Sequence, residues 1–245
     1  MTIKTSHDLL DIEDYIINHL PSDCNTILHI SEVGSFMWGM GNENDPTKGI
    51  SDHDIFVIYQ VSTKSILSGY RIKDNSPSKH DITINGKQFD FSFMEIGHFI
   101  NLLIKGNINV IWGLTSPLIY KSNVNDIKEY VSKNINHFNI LPSAIGMATS
   151  SLNDSVKRAS VRPPQKCINT AYRTLIWTKQ VYNEDVINYL VKCENVTEER
   201  CQNVIKEIKE VYVDGDHNIM ELYLRNALYT IRYNDLSSTR ERGSI

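Results

Sequence analysis

Residues 26–35 read TILHISEVGS and residues 52–61 read DHDIFVIYQV, and these two stretches decide the fold class. Thr26 to Val33 is rich in residues that suit a strand and runs straight into Gly34-Ser35, so a strand ends in a tight turn. Asp54 to Val61 has the β-branched and aromatic content of a buried strand. Side chains alternate along an extended chain, so Asp52 and Asp54 point to one side while His53 points to the other. Two like charges then share one face, which is costly unless a cation neutralises them.

Working outward, Phe36 to Ser51 carries Gly39, Gly41, Asn42, Asn44, Asp45, Pro46 and Gly49 and reads as loop, with one helical turn allowed at Phe36 to Met40. Beyond Val61, Asp81 to Ile84 and Lys87 to Phe93 flank Asn85-Gly86, the strongest short-range hairpin signal. In the second of these strands Gln88, Asp90 and Ser92 share one face and Phe89, Phe91 and Phe93 the other. If that strand lies beside the Asp52 strand, three carboxylates converge into the oxygen-rich setting that Mg2+ prefers; Mn2+ would suit the same oxygens. Gly34 lets the backbone approach a phosphate closely, and Ser35 offers a hydroxyl to it. Asp81 and Glu95 are the nearby carboxylates that compete with Asp90 for the third place.

Helical periodicity is expected over His7 to Leu20, capped by Ser6, and over Glu95 to Lys105, stopped by Gly106-Asn107. From about Asp126 no strand pattern remains, and segments near 143–160, 165–183, 185–194, 197–212 and 217–233 read as helices. Pro163-Pro164 marks a bend between helices. Asn234 to Ile245 is polar and reads as a frayed tail. The chain is thus α+β first, a mixed sheet with flanking helices over residues 1–120, and all-helical over residues 121–245.

Composition narrows the function classes. The 245 residues are 41% apolar and 22% charged, as in folded globular chains, and no apolar run approaches the length that crosses a bilayer. Met1 to Asp11 lacks the n-region and h-region of a secretory signal, and Cys24, Cys167, Cys193 and Cys201 form no CxxC pair; a reducing cytoplasm is the expected location and no membrane partner is expected. A net charge of −4 gives no global pull toward nucleic acid, so any polynucleotide contact must be local.

Gly34-Ser35 after a strand, Asp52-x-Asp54 opening the next and a later Asp90 resemble the signature of the polymerase beta nucleotidyltransferase superfamily. Leu102-Leu103-Ile104-Lys105-Gly106-Asn107 with Val110-Ile111-Trp112, and later Ala171-Tyr172-Arg173 with Leu175, resemble its RNA-repair-associated branch. The resemblance implies a polymerase beta-like catalytic domain followed by a helical domain that closes over the nucleotide. It implies that Asp52 and Asp54 ligate two Mg2+ ions, that Asp90 completes one site, and that Gly34 and Ser35 bind the triphosphate of a nucleoside triphosphate. A nucleoside monophosphate would pass to a hydroxyl, with an RNA end the favoured acceptor. That branch often has arginine directly after Gly-Ser, whereas this chain has Phe36, and the 36–51 loop is longer than usual.

Other candidates carry simpler readings beside the functional ones. Lys105 and Asn107 are nucleotide-contact candidates or residues that satisfy helix-end carbonyls. Lys166 and Arg173, two turns apart, are triphosphate-contact candidates or part of a solvated helix face. His53 packs behind the site or bonds to backbone, and Trp38, Trp112 and Trp177 read as core. Two rival functions remain: nucleotide transfer to a protein or small molecule, and a catalytically silent nucleotide-binding module.

Overall fold

The computed structural model describes residues 6–42, 50–69, 78–160, 163–184, 187–193, 195–212 and 218–242. Helix α1 (Ser6–His19) leads into strand β1 (Cys24–Val33), the short helix α2 (Gly34–Met37), β2 (His53–Val61) and α3 (Thr63–Leu67). The hairpin of β3 (Lys79–Ile84) and β4 (Lys87–Glu95) follows, then α4 (Ile96–Ile104), α5 (Ile108–Thr115) and β5 (Leu118–Ser122). Thereafter the described chain is helical: α6 (Asn125–Lys133), a 3-10 turn (Ile135–His137), α7 (Leu141–Lys157), α8 (Pro164–Glu184), α9 (Glu198–Val211) and α10 (Asn218–Arg242). No described helix is long and apolar enough to cross a membrane.

The five strands form one mixed sheet in the order β3-β4-β2-β1-β5. β2 is central: it pairs antiparallel with β1 and parallel with β4, and every residue of it except Asp54 is buried. Parallel pairing sets His53 opposite Phe89 and Asp54 opposite Asp90. The β3–β4 hairpin turns at Asn85 and Gly86, both with positive φ (50° and 77°), as a two-residue primed turn requires. Along β4 burial alternates, with Phe89, Phe91 and Phe93 in the core and Asp90 and Ser92 outside it. Those phenylalanines pack with Ile12 and Ile16 of α1 and with Ile27, Ile30, Ile55 and Val57. The opposite face is covered at Phe56, against which Gly113 of α5 sits so tightly that a Cβ there would lie 2.4 Å from its ring.

By spatial grouping the chain forms two units. The first joins residues 1–101, 112–128 and 222–245; the second joins 102–111 and 129–221. The second unit has its own core, in which Leu141, Ala148 and Leu152 of α7 meet Ala171 and Leu175 of α8 and Val204, Ile205 and Ile208 of α9. A contiguous division at residue 120 differs from this grouping most clearly at α10, most of which lies with the sheet. Arg232 of α10 donates to the fully buried carboxylate of Glu95 and, at 2.8 Å, to the carbonyl of Val61, and Asp235 accepts from the Thr63 amide at 2.6 Å.

Two sequence expectations are corrected, and one strand is added to them. The polar stretch from Asn234 is no frayed tail, because α10 continues to Arg242, held on its sheet side by polar contacts that apolar periodicity does not register. Residues 187–193 of the expected 185–194 helix are non-helical; Asn188 Oδ1 accepts the Leu190 amide at 2.8 Å, a local bond that competes with helix formation, and the remainder of that span lies outside the described residues. Leu118–Ser122 adds a fifth strand on the outer edge of β1. The expected cap at Ser6 and the loop residues 43–49 fall where side chains or backbone lie outside the described residues.

Candidate active site

β1 ends at Val33 and the chain turns at Gly34, whose φ of +65° suits glycine. A second demand fixes the residue: a Cβ at this position would lie 1.8 Å from Asp54 Oδ2. The turn therefore presses its backbone against the second carboxylate. The Ser35 hydroxyl beside it is buried without a hydrogen-bond partner. The loop that follows is pinched at its neck, where the Ser51 amide donates to the Asn42 carbonyl at 2.8 Å and the Asn42 amide to Ser51 Oγ at 3.1 Å.

Asp52, Asp54 and Asp90, all half-buried, each bring a carboxylate oxygen to within 4.8 Å of the others. Three oxygens at this spacing fit a hard divalent cation, and the missing side chain at Gly34 is what lets the Asp54 carboxylate take its place among them. β3 holds Asp90 in place. A bulge in that strand puts Asp81 at a positive φ of 57°, and its amide donates to Asp90 Oδ1 at 2.9 Å, while His80 Nδ1 meets Oδ2 at 3.0 Å. The hydrogen bond to Asp90, followed by that residue's charge and those of Asp81 and Asp54, raises the pKa of the exposed His80 imidazole. His80 was not singled out by sequence; only its place in the strand paired with Asp90 could have found it. Of the competing carboxylates, Asp81 serves through its backbone, and Glu95 is bound to Arg232 at the far end of β4.

His53 faces away from the carboxylates, as alternation requires. Of the two expectations, packing behind the site or a bond to backbone, the structure shows the first: the ring is buried, and its Nδ1 lies 2.6 Å from the Glu32 side chain at Oε1. Its ring is stacked between Phe36 (centroids 4.3 Å apart, planes 2° from parallel) and Phe89 (4.9 Å, 23°). The Tyr120 hydroxyl of β5 donates to the other oxygen of Glu32. Glu32 is not a candidate on sequence grounds; a carboxylate one residue before the Val33-Gly34 turn, in a strand whose residues 27–32 are all buried, is the signal that marks it.

The remaining candidates belong to the second unit. Lys105 is exposed past the end of α4. Asn107 caps α5, its Oδ1 accepting from the amides of Asn109 (3.1 Å) and Val110 (3.3 Å). Lys166 is exposed on α8, whereas Arg173 is buried and donates to Thr170 Oγ1 at 3.2 Å, so the two do not form one solvated face. A separate cleft of about 520 Å³ lies at the other end of β2, lined by Gln60, Ser62, Asn25 and Asp235; it contains none of the site residues.

A mixed sheet carrying a glycine-serine turn and three convergent aspartates defines a nucleotidyltransferase-like protein. The sequence matches the RNA repair pathway DNA polymerase beta family over residues 3–210, most of its length, and the chain belongs to that family. No curated protein gives a significant match. Among solved structures, a nucleotidyltransferase-like protein from Exiguobacterium sibiricum 255-15 aligns at 11% identity and a TM-score of 0.33, over 95% of this chain and 75% of that one.

Proposed function

We propose that this protein transfers a nucleoside monophosphate from a nucleoside triphosphate to a hydroxyl, with an RNA end as the favoured acceptor. The observation that carries the proposal is the convergence of Asp52, Asp54 and Asp90 beside the Gly34-Ser35 turn. The three carboxylates would hold Mg2+, with Mn2+ as a substitute; bound there, such ions neutralise phosphate charge and lower the pKa of the attacking hydroxyl. The chain's own part is positioning. Asp90 is kept oriented by the Asp81 amide and His80, Gly34 leaves the space that Asp54 fills, and Ser35 Oγ, buried in the same turn with no hydrogen-bond partner, is assigned to the triphosphate on the strength of the family resemblance. Lys105, Asn107, Lys166 and Arg173 are assigned to nucleotide contact on the strength of the family resemblance.

In this reading residues 1–120 carry the chemistry and residues 121–245 serve the acceptor. A reducing cytoplasm suits the four free cysteines. The three aspartates speak against a silent binding module, because repelling carboxylates are costly to keep together without a cation. Transfer to a protein or small molecule is the second reading, favoured by the net negative charge of the chain.

The test is incubation with Mg2+ and each labelled nucleoside triphosphate, with and without mixed RNA, for wild type, Asp52→Ala and Asp54→Ala. Label on RNA that depends on both aspartates is the expected result. Label on the protein moves the assignment to the second reading, and binding without turnover returns it to the silent module.

A further inference from the structure

Phe36 stands where the resembling branch often has arginine, and its surroundings in this chain are built for an aromatic ring. On one side Gly41 comes so close that a Cβ there would lie 2.1 Å from Phe36 Cδ1. On another side the ring lies parallel to the His53 imidazole, which in turn lies against Phe89. Glu32 grips the imidazole at 2.6 Å and is itself held by Tyr120. The Ser116 hydroxyl also donates to the Glu32 carbonyl at 2.5 Å. The imidazole is therefore fixed by stacking from Phe36 and Phe89 and by its bond to Glu32.

His53 is the residue between Asp52 and Asp54, and Phe89 precedes Asp90. The stack thus clamps the backbone of both acidic strands from behind. Phe36 follows Gly34-Ser35 in the same turn, so one packed unit links the three segments that carry the site residues, the β1 turn, the start of β2 and the start of β4, and is braced by Tyr120 of β5 through Glu32. A carboxylate cluster holds a cation well only if its ligands are preorganised, and partners behind the ligands commonly decide this.

We infer that Phe36, His53 and Glu32 are positioning residues that hold Asp52, Asp54 and Asp90 in register for a divalent cation. Phe36 then replaces the arginine-type side chain with a packing function and leaves the site competent. This rests on the metal reading of the three aspartates.

The experiment is Mn2+ titration of the purified full chain, followed by electron paramagnetic resonance and paired with a thermal melt of each variant. Wild type should bind Mn2+ and Asp54→Ala should not; a wild type that binds none overturns the metal reading itself, and this inference with it. Phe36→Ala should weaken Mn2+ binding by roughly tenfold and broaden the bound-ion spectrum, the low end of what loss of a partner behind a metal ligand costs. Phe36→Tyr, which keeps the stack, should restore both. Glu32→Gln acts on the same imidazole at its Nδ1 edge, away from the 36–51 loop, and should weaken binding in the same direction. If Phe36→Ala and Glu32→Gln lower only the melting temperature and leave the Mn2+ affinity and spectrum at wild-type values, the unit is merely structural and the inference is overturned.

Discussion

Asp54 and Asp90 stand directly opposite each other on adjacent parallel strands, with Asp52 two residues before Asp54 completing a cluster whose ligand oxygens lie within 4.8 Å. Like charges in this register repel, and a divalent cation turns that repulsion into binding energy. Mg2+ with a non-hydrolysable nucleoside triphosphate should therefore raise the melting temperature of wild type by several degrees, since a ligand at a hundredfold excess over its Kd contributes roughly 2.7 kcal/mol. Asp54→Asn should abolish the Mg2+-dependent part of the shift and lower transfer activity by roughly two to three powers of ten. Melts and turnover measured side by side check both.

Gly34→Ala places a methyl group where Asp54 Oδ2 now sits and imposes a side chain at a φ of +65°. The backbone conformation alone costs about 1 kcal/mol for a residue with a Cβ. The displaced carboxylate should cost more in function than in stability: the Mg2+-dependent melting shift should vanish while the fold survives, as circular dichroism would show. Retention of that shift would mean that the turn and Asp54 move apart freely.

Arg232 and Glu95 form an ion pair that secures α10 to the sheet, with the Glu95 carboxylate fully buried and also accepting the Gly97 amide at 2.6 Å. Truncating one member of a buried pair strands the other charge, at a cost of about 3 kcal/mol or more. Arg232→Ala should lower stability by about that amount in urea unfolding, and adding Glu95→Gln to it should recover part of the loss. Equal stability of the single and double variants would show that the charge on Glu95 is not what is stranded.

His29 lies wholly inside the sheet unit, donating from Nε2 to the Gly113 carbonyl at 3.1 Å. Burial pushes its pKa down from 6.5 to about 4, opposed by that carbonyl and assisted by the charge of Lys128. The folded state thus keeps the imidazole neutral while the unfolded chain takes up a proton below about pH 6.5. Stability is therefore present above the unfolded pKa and falls as pH drops from about 6.5 toward 4, by roughly 2–3 kcal/mol from this group. Urea midpoints at pH 7 and pH 4.5 for wild type and His29→Gln should show the smaller acid loss in the variant.

Local pattern carried much of this protein in plain view. The alternation of Phe89, Phe91 and Phe93 against Asp90, the Asn85-Gly86 turn and the apolar run after Asp54 each depend on residues a few positions apart, and the structure forms the corresponding strands and hairpin. Asp52, Asp54, Asp90, Gly34 and Ser35 stood out for the same reason. The end of α10 and the strand Leu118–Ser122 did not, because their stability comes from partners far away in the chain.

The sequence by itself determined the strand types, their faces and the carboxylates that could share one side, since side-chain alternation and turn chemistry are properties of neighbouring residues. Only the tertiary structure decided that β2 and β4 run in parallel with Asp54 against Asp90, that Glu32 reaches His53 and Tyr120 reaches Glu32, and that Arg232 reaches Glu95. Those contacts join residues from 21 to 137 positions apart. A buried polar group finds its partner through the packing of whole elements, and no local periodicity encodes which distant side chain will be there.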